Sequence, residues 1–259
     1  MKFNFQYLIA LISAFVTGII FFLILKFSSL PIFFALVFLW FSLLTFLYLS
    51  FKEKRRDHTL LLTLSTALSS LLLFSIIDDP YLRWFFVGFV VLLFGILFGV
   101  KENSEIPLEY GRQPFRRFSM MIWVFNAYAL FSYLFALGVL FQSEWPVWLE
   151  IFLVPGAGII AGFLAGEIWK MYVHFEAKTF LFWRVVTALF ISEVFWSLRL
   201  LPFGYLVSGI LLTWLWYVLQ MLVRFHFQPS GIIWKKQLAF LITSAVIFLF
   251  LALFFVRWI

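Results

Sequence analysis

Between Lys2 and Lys26 the chain carries no charged side chain, and the same holds between Lys26 and Lys52, Arg83 and Lys101, Arg199 and Arg224, and Lys236 and Arg257. At about 1.5 Å of rise per residue, helices of such runs cross a hydrocarbon core roughly 30 Å thick. Backbone polar groups find no water in lipid, so a spanning segment must satisfy them internally, as a helix or within a closed barrel. These runs are continuously apolar rather than alternating, which selects the helix. A soluble chain could not hide this much apolar surface either. Hydrophobic residues make up 65% of the 259 and charged residues 12%, against about 45–50% and about 25% in soluble domains. The expected fold class is all-α, a polytopic helical membrane protein.

Nine spans fit the apolar runs, at 5–26, 30–51, 58–77, 82–100, 115–141, 147–170, 179–200, 203–225 and 237–257. The longest connection, KENSEIPLEYGRQP (101–114), is too short to fold alone, so residues 1–259 are expected to form a single integral membrane domain. No internal repeat is evident, and an odd span count argues against two equal transporter halves. The N-terminal run exceeds a signal-peptide core and lacks a small-residue cleavage site, so it reads as a retained first span. Cysteine is absent, which excludes disulfides, thiolate metal sites and cysteine nucleophiles.

With the N-terminus inside, all of the 19 Lys and Arg residues except Lys26, Arg83, Arg199 and Arg257 fall at inner ends. That bias follows the positive-inside rule and predicts an inner N-terminus and an outer C-terminus. The net charge of +7 then reports topology and attraction to anionic headgroups at the inner face. Nucleic acid is not an expected partner, because no basic module exists to hold it. Trp84, Trp145, Trp148, Trp169, Trp183, Trp196, Trp234 and Trp258 lie near span ends, where indoles favour the headgroup layer. Trp40, Trp123, Trp214 and Trp216 lie deeper and call for hydrogen-bond partners between helices.

The strongest packing motif is PGAGIIAGFLAGE (155–167). Gly158, Gly162 and Gly166 recur every four residues, beside a second column of Ala157, Ala161 and Ala165. Such faces let two backbones approach closely in lipid. The partner is expected to be another span of the same chain, with a homo- or hetero-oligomer as the alternative. Pro155 in this span removes one helical N–H and frees the carbonyl of Ile151.

Glu193 is the leading ionisable candidate. A carboxylate near mid-membrane is costly and reads as a functional hypothesis, facing the protein interior. Tyr133, Ser208 and the Pro155 region lie at similar expected depth, so a cation or proton site is one reading and a helix-locking hydrogen bond the other. Asn126 is mid-membrane helix glue or a ligand. Glu167 lies one residue past the glycine face, where neighbouring helices can shield it. In AGEIWKMYVHFEAK (165–178), Lys170, His174 and Lys178 would form a cationic column if the helix continued. That segment reads as a solvated helix end or an anionic-lipid contact. Arg199 is expected to reach the outer headgroups. Asp78 and Asp79 before Pro80 suit a turn or a divalent cation. Arg112, Arg116 and Arg117 suit a topology anchor or a headgroup grip.

No zinc pair, nucleophile elbow, phosphate loop or dinucleotide fingerprint occurs. The three histidines lie on separate connections, so paired haem ligands are not expected. No catalytic residue, metal or cofactor is implied. Glu193, Trp196 and LPFGYLVSG (201–209) together resemble a pattern in multi-spanning bacterial inner-membrane proteins of unknown function. The resemblance implies a multi-pass location in the bacterial cytoplasmic membrane and no particular activity. The leading expectation is transport or conduction of a small solute or ion. The alternatives are a membrane-embedded enzyme on lipid-linked substrates, and a non-catalytic assembly or scaffold subunit.

Overall fold

The computed structural model describes residues 5–27, 29–50, 58–99, 114–141, 146–173, 176–227 and 234–254. Among these the chain forms α1 (Phe5–Lys26), α2 (Leu30–Leu49), α3 (His58–Ser75), α4 (Pro80–Gly99), α5 (Pro114–Leu140), α6 (Pro146–Lys170), α7 (Ala177–Arg199), α8 (Tyr205–His226) and α9 (Trp234–Phe254). Each helix matches one expected span to within about a turn. Pro80, Pro114 and Pro146 open their helices, where the missing N–H costs nothing and the fixed φ is already helical.

Seven of these helices (α1, α2 and α4 to α8) are long and apolar enough to cross a membrane among the described residues. The chain is thus a multi-pass membrane protein by length and composition of its helices. In α3 and α9 the apolar stretches among the described residues are Leu60–Ser75 and Leu241–Phe250. Large apolar side chains point outward elsewhere, Phe38 at 76% and Phe85 at 75% exposure, which suits a lipid solvent and no aqueous one.

The helices divide into two compact units. The first holds α1 to α4 and α5 through Ile122; the second holds α5 from Trp123 onward with α6 to α9. In the first unit α1 and α4 pack most extensively. A Cβ at Gly95 would lie 3.4 Å from that of Ala14, and one at Gly99 3.5 Å from that of Ala10. The register is therefore antiparallel along small residues. Trp40 of α2 docks on this pair, its indole donating to Thr17 Oγ1 at 3.2 Å. Its ring meets Phe21 and Phe94 edge-on.

The second unit repeats the construction. Its tightest pair is α6 and α7. A Cβ on Gly158 would strike Ser192 Oγ and the Ala188 carbonyl, and one on Gly162 would lie 2.7 Å from the Arg184 carbonyl. The glycine column thus faces a helix of the same chain. The alanine column is fully buried, and the Trp216 indole of α8 donates to the Ala161 carbonyl at 3.0 Å. The helix runs unbroken through Pro155.

Three expectations need correction. Trp169 does not face outward at the end of α6: it is fully buried, donating to the Gln220 carbonyl of α8 at 3.0 Å. Arg199 does not extend outward; its guanidinium lies on Gly138 of α5, with Nη1 3.5 Å from Glu150 Oε1 of α6. The bare Gly138 surface gives the planar group a seat, and Glu150 supplies the charge. The cationic column does not form as one helix, because α6 ends at Lys170 and a turn follows at Met171 and Tyr172. His174 lies outside the described residues.

Candidate functional site: the polar face of α8

Helix α8 carries Gly209, Thr213, Trp216, Gln220 and Arg224 at spacings of three and four, which places them on one face. All five are buried within the second unit. The neighbours change along the face. A Cβ at Gly209 would collide with Ser132 Oγ of α5. Trp216 meets Phe131 of α5 edge-on at 6.4 Å as well as Ala161 of α6. Gln220 receives Trp169 of α6 at its backbone carbonyl. Arg224 stacks over the Tyr172 ring at 4.6 Å, just past the end of α6.

This interior is unusually polar for an apolar chain. Asn126, Ser132, Thr187 and Gln220 are 0% exposed, Ser208 3%, Glu167 5%, Thr213 6% and Arg224 8%. Local bonds account for some of them. Thr213 donates to the Gly209 carbonyl at 2.7 Å, the usual back-bond of a helical hydroxyl. Glu167 Oε1 takes the Lys170 ammonium at 2.5 Å. Gln220 is different. Neither its amide nitrogen nor its amide oxygen has a hydrogen-bond partner among the described residues, and the Thr187 hydroxyl is likewise without one. A carboxamide has two donors and one two-fold acceptor, so its full burial leaves both ends of the amide unsatisfied among the described residues.

Of the residues singled out in the sequence, Asn126, Ser208 and Glu167 are buried in this unit. Tyr133 is half-buried. Glu193 lies on the exposed side of α7, in line with Leu189, Trp196 and Leu200, and its carboxylate has no partner among the described residues. Ser197 bonds the Glu193 backbone carbonyl, not the acid. Asp79 caps α4 by accepting from the Leu82 N–H at 2.7 Å, and Arg83 lies 4.0 Å from Asp78, so the pair acts in a helix-start turn. No group of three acidic or imidazole side chains that could hold a metal occurs among the described residues. Arg116 is buried in the first unit and Arg117 is exposed; Arg112 lies outside the described residues.

Gln220 and Thr187 were not singled out in the sequence. The signal was available: in TWLWYVLQMLVR (213–224) the polar residues Thr213, Gln220 and Arg224 fall on one helical face between apolar neighbours. A charge-based reading passes over neutral amides and assigns Arg224 to topology. No protein-family model, curated protein sequence or solved structure matches the chain.

Proposed function

We propose that the protein passes a small polar solute or ion across a membrane, along the polar face of α8 inside the second unit. The observation that carries this reading is Gln220, fully buried with both ends of its amide unpartnered. In a low-dielectric interior such a group is retained at a cost of about 1–3 kcal/mol per lost bond, and a site that must hydrogen-bond a passing solute is a reason to retain it. Polar groups are spread along the depth of the unit, from Ser208 near the start of α8 to Arg224 near its end. The path lies on this face and not at Glu193, whose side chain is on the outer side of α7. The reading includes nine crossings, an inner N-terminus and a bacterial cytoplasmic membrane. The absence of native cysteine makes single-cysteine labelling of each connection a direct check of that topology.

The test is shrinkage of proteoliposomes under urea or glycerol gradients, with a pyranine-loaded set for protons. Flux in the native protein that disappears in Gln220→Met, while the variant stays folded, supports the reading. Absence of flux for urea, glycerol, K⁺ and H⁺ alike rejects it.

One observation favours a second reading, a membrane assembly subunit. An exposed carboxylate at Glu193, in an otherwise apolar stripe, is costly against acyl chains and is relieved by a partner helix. Glu193→Leu would then abolish co-migration with that partner in native gels and leave solute flux intact.

A further inference from the structure

The glycine column of α6 does more than bring two backbones together. Gly166 faces the Arg184 side chain rather than backbone: a Cβ there would lie 2.9 Å from Nε and 3.1 Å from Cδ of Arg184, and 3.1 Å from Phe180 Cζ. The space left by Gly162 and Gly166 is a groove in which Arg184 lies, its Nε donating to the Gly162 carbonyl at 3.1 Å. The guanidinium sits over the Phe163 and Phe180 rings at 5.7 and 5.4 Å. Trp169 meets Phe180 edge-on at 6.4 Å, which holds that ring in place. Lys170 shares the same platform, its ammonium 5.8 Å from the Phe180 centroid.

The charge here is not balanced internally. Glu167 on the same side of α6 is paired with Lys170, and no ion pair of Arg184 is found among the described residues. One nitrogen of Arg184 is fixed by Gly162, so the planar group is oriented, while its two terminal nitrogens have no partner among the described residues. A guanidinium held this way offers a fork whose geometry matches two oxygens of a phosphate. Arg184 is seven residues along α7 from Ala177, about 10 Å by helical rise, so an unpaired charge there sits below the end of the helix among apolar neighbours.

We propose that Arg184, with Lys170 beside it on the Phe180 platform, binds the phosphate of an anionic phospholipid headgroup on the α6–α7 surface. The glycines at 162 and 166 make the seat, the arginine supplies the oriented fork and the net positive charge, and Lys170, its charge offset by Glu167, adds N–H donors beside it. A zwitterionic lipid carries its own ammonium beside the phosphate and gains less from the net positive charge of the site. This site is independent of solute flux through the α8 face.

The experiment is thermal unfolding of the purified full chain in detergent, titrated with phosphatidylglycerol, phosphatidylcholine or inorganic phosphate. Native mass spectrometry counts retained lipid in parallel. Phosphatidylglycerol is expected to raise the unfolding temperature and remain bound, at least five-fold more effectively than phosphatidylcholine. Arg184→Gln should lose most of that preference. Arg184→Lys, which keeps the charge and the fold but not the fork, should keep part of it. A stabilisation reproduced by inorganic phosphate alone, and lost in Arg184→Gln, identifies the source as a free anion and overturns the lipid assignment. Equal responses to the two lipids, or an undiminished phosphatidylglycerol preference in both Arg184 variants, overturn the site.

Discussion

Replacing Gln220 by methionine separates a working polar group from a structural one. Methionine has the same unbranched length and is flexible enough to fill the space, so little cavity or strain is introduced. The amide brings two unpartnered polar atoms, each worth about 1–3 kcal/mol of desolvation when left unsatisfied. Hydrogen-bonding groups in membrane bundles average nearer 0.6 kcal/mol, because the unfolded state also finds partners, so the lower part of that range applies. Gln220→Met is expected to stabilise the protein by about 1–3 kcal/mol, a rise in unfolding temperature on the order of 5 °C. It is also expected to abolish solute flux. Both are measurable on one preparation, by thermal unfolding in detergent and by proteoliposome shrinkage. A loss of more than about 1 kcal/mol would refute the reasoning, since the amide would then be tying helices together through bonds that the exchange broke.

Gly158→Ala should destabilise by several kcal/mol, because the new methyl meets a backbone carbonyl and a serine hydroxyl of α7 that cannot both retreat. Gly156→Ala, two residues away with nothing within 4 Å of the new atom, should be neutral or gain up to about 1 kcal/mol from helix propensity; unfolding curves of the two compare them directly. Glu150→Gln should cost about 1–3 kcal/mol in the same assay, since Glu150 is 48% exposed but Arg199 only 11%, and the exchange leaves a largely buried guanidinium without its counter-charge. Trp216→Phe keeps an aromatic ring but deletes the donor to Ala161 and leaves a cavity where the rest of the buried indole lay. The lost hydrogen bond and the cavity together should cost about 2–4 kcal/mol.

Much of the fold was readable because lipid removes choices. Uncharged runs of the right length must be helices, and prolines near their starts fix where they begin. The glycine column of α6 announced a close helix contact, and α7 fills it. The equivalent contact in the first unit was less visible. Ala10, Ala14 and Gly18 of α1 face Val91, Gly95 and Gly99 of α4, and a valine with two alanines among them disguises a small-residue face that three glycines would advertise. Span ends marked by tryptophan misled at Trp169, because an indole near the end of a helix serves equally well as a hydrogen-bond donor to the next helix.

The site was harder to read for a reason that also explains the fold. Both units dock a third helix onto a small-residue pair through one indole N–H, Trp40 to Thr17 and Trp216 to the Ala161 carbonyl. In hydrocarbon an unsatisfied N–H is expensive; these two indoles have acceptors, whereas the Trp214 indole, also expected to find one, has none among the described residues. The units part company beyond that contact. Around Trp40 the interior is filled by Phe21, Phe74 and Phe94, rings that need no partners. Around Trp216 it continues as Thr213, Gln220 and Arg224, which do. Charge draws the eye to Glu193 in the sequence, yet exposure of α7 is a property of packing and cannot be read from one helix alone. An amide carries no charge and barely lowers hydropathy, so Gln220 stands out only once both its ends are seen to lack partners. A neutral amide that costs the fold two unsatisfied ends is one that the sequence barely advertises, which is why the Gln220→Met exchange bears on stability and flux together.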